Sequence, residues 1–187
     1  MHMIKKRCKC ANQNNGLNIW GIMEKGILVS IPILFIVGTL LHYAYDFFGK
    51  NKIVGFFVPI NESVWEHTKL SYFPIVLWWI ITYIVMKDGW NLEGNKWFLA
   101  MIVSAVISIF IIILFYYGYV GSTGEYSFIV NISLFLVSII LGQLLGMHIY
   151  RYGNGIPAII SIVIAFSITL LYVWLTIKPR DLPLWKV

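Results

Sequence analysis

Residues 97–117 read WFLAMIVSAVISIFIIILFYY and contain no charged side chain. As an α-helix this run is about 32 Å long, which matches the ~30 Å hydrocarbon core of a bilayer. Further apolar runs of similar length occur along the chain, so lipid is the solvent for most of this protein. We predict an all-α fold, a polytopic bundle of five transmembrane helices at residues 26–48, 65–86, 97–117, 127–150 and 156–177.

The amino-acid composition agrees with a membrane protein. Of the 187 residues, 59% are hydrophobic and 12% are charged, whereas about 25% of a typical soluble domain is charged. We divide the chain into a basic tail at 1–25, a single transmembrane domain at 26–177 and a short tail at 178–187. Cys8 and Cys10 are too few for a disulfide framework and lack the spacing of a zinc site.

The basic residues indicate how the chain lies in the membrane. The formal net charge is +6, and lysine and arginine are concentrated in the tails and loops, most densely in the N-terminal tail. They form no basic stripe with interleaved aromatic residues, which argues against a nucleic-acid partner. Because basic loops stay on the cytoplasmic side, we predict a multi-pass protein in the lipid bilayer of the cell membrane, with a cytoplasmic N-terminus.

A histidine and a carboxylate lie near the end of the first predicted span. Gly38, His42 and Asp46 follow one another at steps of four residues, so a continuous helix places them on one face. Ionisable groups inside or beside a span are costly in lipid, and each is therefore a candidate functional residue.

A second polar cluster opens the second span, where residues 59–69 read PINESVWEHTK. Glu62, Glu66 and Lys69 share a helical face, and His67 lies roughly 100° around the helix from Glu66. Because the first span ends and the second begins on the same side of the membrane, we expect the two polar clusters to meet.

Imidazoles and carboxylates at this spacing are typical of a metal site. Zn, Mn and non-haem Fe prefer these ligands, and residues four apart on a helix can hold one ion. We therefore predict a candidate site for a divalent metal, with Glu62 as the general base for a metal-activated water in a hydrolytic centre. The predicted metal ligands are His42, Asp46, Glu66 and His67. The predicted supporting residues are Asn61, Ser63 and Lys69.

Other interpretations of the same residues stay open. Ser63 and Glu66 fit the capping box that opens a helix, and Glu66 with Lys69 fits an ion pair at the interface. The carboxylates could instead bind or guide a cation or a small solute. A structural or assembly role is a further alternative.

The stretch VPINESVWEHTKL at residues 58–70, preceded by LHYAYD at 41–46, resembles a family of small bacterial integral-membrane proteins of unknown function. The family carries an N-E-S-x-W-E-H signature, which Asn61 to His67 match. The resemblance implies a multi-span membrane protein from a bacterium, of the Firmicute type. It implies no activity.

A ladder of small residues marks the fourth span. Ser138, Gly142 and Gly146 recur at steps of four, the spacing that helices use for close contact in lipid. We predict that this ladder packs against another helix, and a homo-oligomer through the same residues is the alternative. His148 points to another face and lies at the opposite end of the bundle from the polar clusters.

The long first connection, residues 49–64, contains the apolar segment IVGFFV at 53–58. We expect this connection to lie at the membrane interface and to cover the polar clusters. Glu125 and Asn131, near the start of the fourth span, are on the same side and could close the site.

Overall fold

The structure is a computed structural model that describes residue 21, residues 24–124 and residues 127–178, with only the backbone of Trp90. Within the described residues, five helices are long and apolar enough to cross a membrane, which is the number of long apolar helices predicted. The described part of the chain contains no β-strand. The long helices are α1 (Glu24–His42), α4 (Val64–Trp90), α5 (Gly94–Thr123), α6 (Phe128–Tyr152) and α7 (Ala158–Ile177), and α2 (Ala44–Phe47) and α3 (Lys52–Gly55) are single turns in the first connection.

The first long helix is shorter than predicted. It ends at His42, and the chain tightens at Tyr43, whose backbone N–H donates to the carbonyl of Leu40, three residues back, at 3.2 Å. The run to residue 48 is therefore not one continuous helix, and the register of Gly38 and His42 does not extend to Asp46.

Local capping sets the limits of the other long helices. Ser63 begins α4 by accepting a hydrogen bond from the backbone N–H of Glu66 at 3.4 Å, as a capping residue does. Helices α4 and α5 both end in a left-handed residue, Asn91 at φ 47° and Gly124 at φ 68°. These turns are short, so the long helices that they connect run antiparallel.

Helix α5 is the centre of the bundle and packs against α4, α6 and α7. The small residues of α6 make the closest of these contacts, because a Cβ at Gly142 would lie only 2.6 Å from the carbonyl oxygen of Ser104. Ser108 also donates a hydrogen bond to the carbonyl of Ser138 at 2.8 Å. The predicted ladder therefore packs inside this chain, and a homo-oligomer stays a prediction.

A buried amide joins four of the long helices. Gln143 of α6 accepts hydrogen bonds from the indole of Trp79 at 2.9 Å and the hydroxyl of Ser104 at 3.0 Å. Its amide nitrogen donates to Ser30 of α1 at 3.0 Å. Because buried polar groups are stable only when hydrogen-bonded, this network fixes how α1, α4, α5 and α6 pack in the interior.

The antiparallel order brings the polar clusters to one end of the bundle. Helices α1, α5 and α7 end there, whereas α4 and α6 begin there. The first connection lies at this same end, which we call the site end.

Candidate metal centre

Three side chains converge at the site end. His42 is the last residue of α1, Glu62 belongs to the first connection, and His67 is in the first turns of α4. One potential ligand atom from each lies within 4.8 Å of the other two. We call this group the His/Glu trio, and it joins only residues that the sequence had placed in the predicted site.

The Glu62 carboxylate lies between the two imidazoles. Its Oε2 is 3.4 Å from Nε2 of His67, and its Oε1 is 3.7 Å from Nε2 of His42. Direct N–H···O hydrogen bonds are usually 2.7–3.2 Å long. The two separations are therefore too long for good hydrogen bonds and leave space between the three side chains.

The turn before α4 positions both Glu62 and His67. The side-chain oxygen of Asn61 accepts from the backbone N–H of Ser63 at 3.0 Å, which closes a local turn around Glu62. The Ser63 carbonyl lies 2.9 Å from Nδ1 of His67. A carbonyl can only accept, so Nδ1 carries a hydrogen and Nε2 is the nitrogen that faces the Glu62 carboxylate.

A neutral ring would place two acceptors face to face, and they repel unless a cation lies between them. Orientation of a ligand imidazole by a hydrogen bond from its other nitrogen to a carbonyl is also the usual arrangement in metal sites. In a tetrahedral site with bonds of about 2.0–2.1 Å, neighbouring ligand atoms are about 3.4 Å apart. The separations of 3.4 Å and 3.7 Å around Glu62 are near this value but run to its two different oxygens, and one atom from each side chain lies within 4.8 Å of the others.

His42 lacks a hydrogen-bonding partner that would explain its position. Its Nδ1 is buried and has no partner among the described residues. An unsatisfied buried polar atom costs about 1–3 kcal/mol. Because Nε2 is the nitrogen that faces Glu62, a metal bound there would leave Nδ1 unpaired, and the unpaired Nδ1 is not itself an argument for a ligand role.

A cavity of about 130 Å³ adjoins the trio. Its wall comes from α1, α4, α5 and α6 and includes all three side chains of the trio. Asn131 also lines it, at the position predicted to close the site, whereas Glu125 lies outside the described residues. A ligand bound by the trio would therefore have space beside it.

Glu66, a predicted ligand, belongs to a different buried group. Its Oε2 accepts from Nζ of Lys69 at 2.6 Å and from the backbone N–H of Ile60 at 3.0 Å. Lys69 also donates to the carbonyl of Gly55 at 2.9 Å and to the hydroxyl of Thr176 at 2.8 Å. The first connection therefore covers the Glu66–Lys69 pair, and Glu62 reaches from the connection to the histidines.

Asp46, another predicted ligand, lies apart from the trio. It is on the short helix α2, where its exposed carboxylate is 3.9 Å from Nζ of Lys50. His148, at the other end of the bundle, stacks against Tyr152 with ring centroids 4.8 Å apart. The structure thus brings together His42 and His67 from the predicted ligands and adds Glu62, which was predicted as the base.

The contribution of α7 was not predicted from the sequence. Thr176 binds Lys69, and Tyr172 lies with its hydroxyl 2.7 Å from that of Thr68. Both are ordinary residues in an apolar span, and only their position at the site end gives them these partners.

These features define a small all-α protein with five membrane-length helices and a candidate metal centre at one end. The chain belongs to a family of unknown function, DUF6512, whose model matches residues 17–187. The match covers all five long helices and, like the resemblance seen in the sequence, is to a family of unknown function. No curated protein and no solved structure matches the chain.

Proposed function

We propose that this protein is a membrane metalloprotein that binds one divalent transition metal through His42, Glu62 and His67. The observation that carries this proposal is the convergence of three potential ligand atoms, one each from His42, Glu62 and His67, within 4.8 Å of one another. Two nitrogens and one carboxylate oxygen suit Zn, Mn or Fe better than Ca or Mg, which prefer oxygen ligands only.

The activity that this centre supports best is hydrolysis. Catalytic zinc sites have three protein ligands and leave a further position for water, and the cavity lies beside the trio. A metal held by His42, Glu62 and His67 would supply an activated water for the hydrolysis of an ester. In the overall reaction the water would give its OH to the carbonyl carbon as the bond to the alcohol oxygen breaks, and its proton would go to that alcohol oxygen.

We further propose that the site end faces the outside of the cell membrane. This placement follows from a cytoplasmic N-terminus, which the basic N-terminal tail favours, because α1 then runs outward to His42. Accessibility labelling of single cysteines, introduced in place of Lys50 at the site end and Asn154 at the other end, tests this orientation in intact cells. Labelling of the Asn154 variant alone would overturn it.

The metal content of the protein in lipid nanodiscs tests the central proposal. After loading with zinc and removal of excess ion, we expect about one zinc per chain in the wild type. His42→Ala and His67→Ala should retain much less. His148→Ala is the matched control, because it makes the same change outside the trio and should bind as the wild type does. Equal zinc in all four proteins, or none in any, would overturn the proposal.

Hydrolysis has its own test on the same samples. The zinc-loaded wild type should cleave a chromogenic ester faster than His67→Ala, and removal of the metal should abolish the difference. Stoichiometric zinc with no turnover of any ester would contradict hydrolysis and favour the binding or transport of a cation.

A further inference from the structure

The cavity beside the His/Glu trio changes from polar to apolar along its length. At the site end its wall carries the trio and Asn131. Leu70 lies three residues beyond His67 and Phe135 four residues beyond Asn131, so one helical turn deeper these parts of the wall are hydrocarbon. Thr39 of α1 lines the same level, and its hydroxyl donates to the carbonyl of Phe35 at 2.8 Å. Ile112 of α5 completes this inner part.

Close helix packing closes the inner end of the cavity. Gly38 of α1 lies so near α4 that an added Cβ would be 2.9 Å from the carbonyl oxygen of Leu70. The rings of Phe35 and Phe135 stack with centroids 5.8 Å apart and join α1 to α6 at the same level. The cavity is therefore a pocket with a closed apolar base and does not continue to the far side.

Two exposed aromatic residues border the outer part of the cavity. Tyr43 and Phe128 both line it, and their exposed fractions are 62% and 60%. The surface next to Phe128 is apolar as well, because Ile129 is 76% exposed. The cavity thus reaches the outer surface of the bundle, on the side that would contact lipid.

We infer that this cavity takes one alkyl chain, so that the substrate is an amphiphile of the bilayer. The oxygen atoms of its head group lie at the trio, and its chain extends toward Leu70 and Phe135. The position of the head rests on the proposed metal site, whereas the fit of the chain rests on the apolar wall and closed base. A small polar metabolite would leave this wall unused.

Alkyl hydroxamates of two to six carbons are the probe, because their head group binds a metal and chains of this length partition weakly into a nanodisc. Binding is followed by the visible absorption of cobalt(II), loaded in place of zinc. The affinity should rise about fourfold with each added methylene, the gain expected for transfer of CH₂ from water to an apolar site. Acetohydroxamate reports the head group alone.

Ile132→Trp fills the cavity wall without changing a residue of the trio. We expect this variant to bind acetohydroxamate as the wild type does and to lose the dependence on chain length. Ile129→Trp is the matched control, since it makes the same change three residues earlier on the exposed face and should behave as the wild type. Leu134→Trp, also in the wall, is the second test if Ile132→Trp does not fold.

The outcomes separate the two proposals. One outcome is cobalt binding that depends on His42 and His67, with a hydroxamate affinity that does not rise with chain length. That result would overturn the proposed amphiphilic substrate and leave the proposed metal site standing. A rise that is equal in Ile132→Trp and the wild type would also overturn it, because the chain would then lie in the surrounding lipid. No cobalt binding at all would overturn the metal site itself.

Discussion

The carboxylate of Glu66 and the ammonium of Lys69 lie 2.6 Å apart, and their side chains are 2% and 0% exposed. They form a buried ion pair that is also held by the backbone of Gly55 and Ile60 and by Thr176. Burial of two charges is tolerated only with such extensive hydrogen bonding. The pair therefore fastens the first connection and α7 to the start of α4.

Loss of either partner should destabilise the protein. Lys69→Met leaves the Glu66 carboxylate buried without a counter-charge, and we expect a loss of about 3–5 kcal/mol in the free energy of unfolding. Glu66→Leu combined with Lys69→Met should cost less than the sum of the two single changes. Reversible unfolding in mixed micelles measures all four proteins. Additive losses would show that the two charges do not interact.

Glu66→Gln should leave the metal site intact, because the Glu66 carboxylate is bonded to Lys69 and not to the trio. We expect Glu66→Gln to bind zinc with an affinity close to that of the wild type. Loss of a residue that only orients a ligand typically lowers metal affinity by about 10–100-fold, and Glu62→Gln should lower it by more than that. Competition with a chelating dye measures both affinities. A larger loss of zinc affinity in Glu66→Gln than in Glu62→Gln would show that Glu66 is a ligand, as predicted from the sequence, and that Glu62 is not.

Two glycines in long helices should respond oppositely to the same substitution. Gly142→Ala places a methyl group 2.6 Å from the backbone carbonyl of Ser104, which cannot move cheaply, so we expect a loss of about 1–3 kcal/mol. A Cβ at Gly118 meets nothing within 4 Å. Gly118→Ala should therefore stabilise α5 by about 0.5–1 kcal/mol. Thermal unfolding compares the two, and similar shifts would contradict the close contact of α5 and α6.

Gln143→Leu should weaken the interior of the bundle. The change removes the acceptor of the Trp79 indole and of the Ser104 hydroxyl, and each unsatisfied group costs about 1–3 kcal/mol. The fluorescence of the protein, followed through unfolding, measures the loss. An unchanged midpoint would mean that the network contributes nothing to stability.

Much of this architecture is readable from hydropathy and chain order. Apolar runs of membrane length predicted five helices. His42 and His67 were predicted to lie at one end of the bundle because the first helix ends and the second begins on the same side. The motif at residues 61–67 also predicted the helix start, because Ser63 is a strong capping residue.

The ligand set was harder to predict because periodicity assumes a continuous helix. The step of four from His42 to Asp46 is meaningful only if α1 continues, and the tight turn at Tyr43 moves Asp46 to the exposed surface beside Lys50. Likewise, the sequence does not distinguish Glu62 from Glu66 as a metal ligand, because both are carboxylates near the start of the same helix. Their partners depend on which side chains the neighbouring helices and the first connection bring within reach.

Hydropathy and chain order are enough to predict the five helices, their antiparallel order and the end of the bundle at which imidazoles and carboxylates gather. Only the packing of the helices places Glu62 between the two histidines, pairs Glu66 with Lys69, and leaves an apolar cavity that opens at the outer surface beside the trio. The physical reason is range: hydropathy and capping act within a few residues of the chain, whereas ion pairs and cavities depend on distances of a few ångströms between helices.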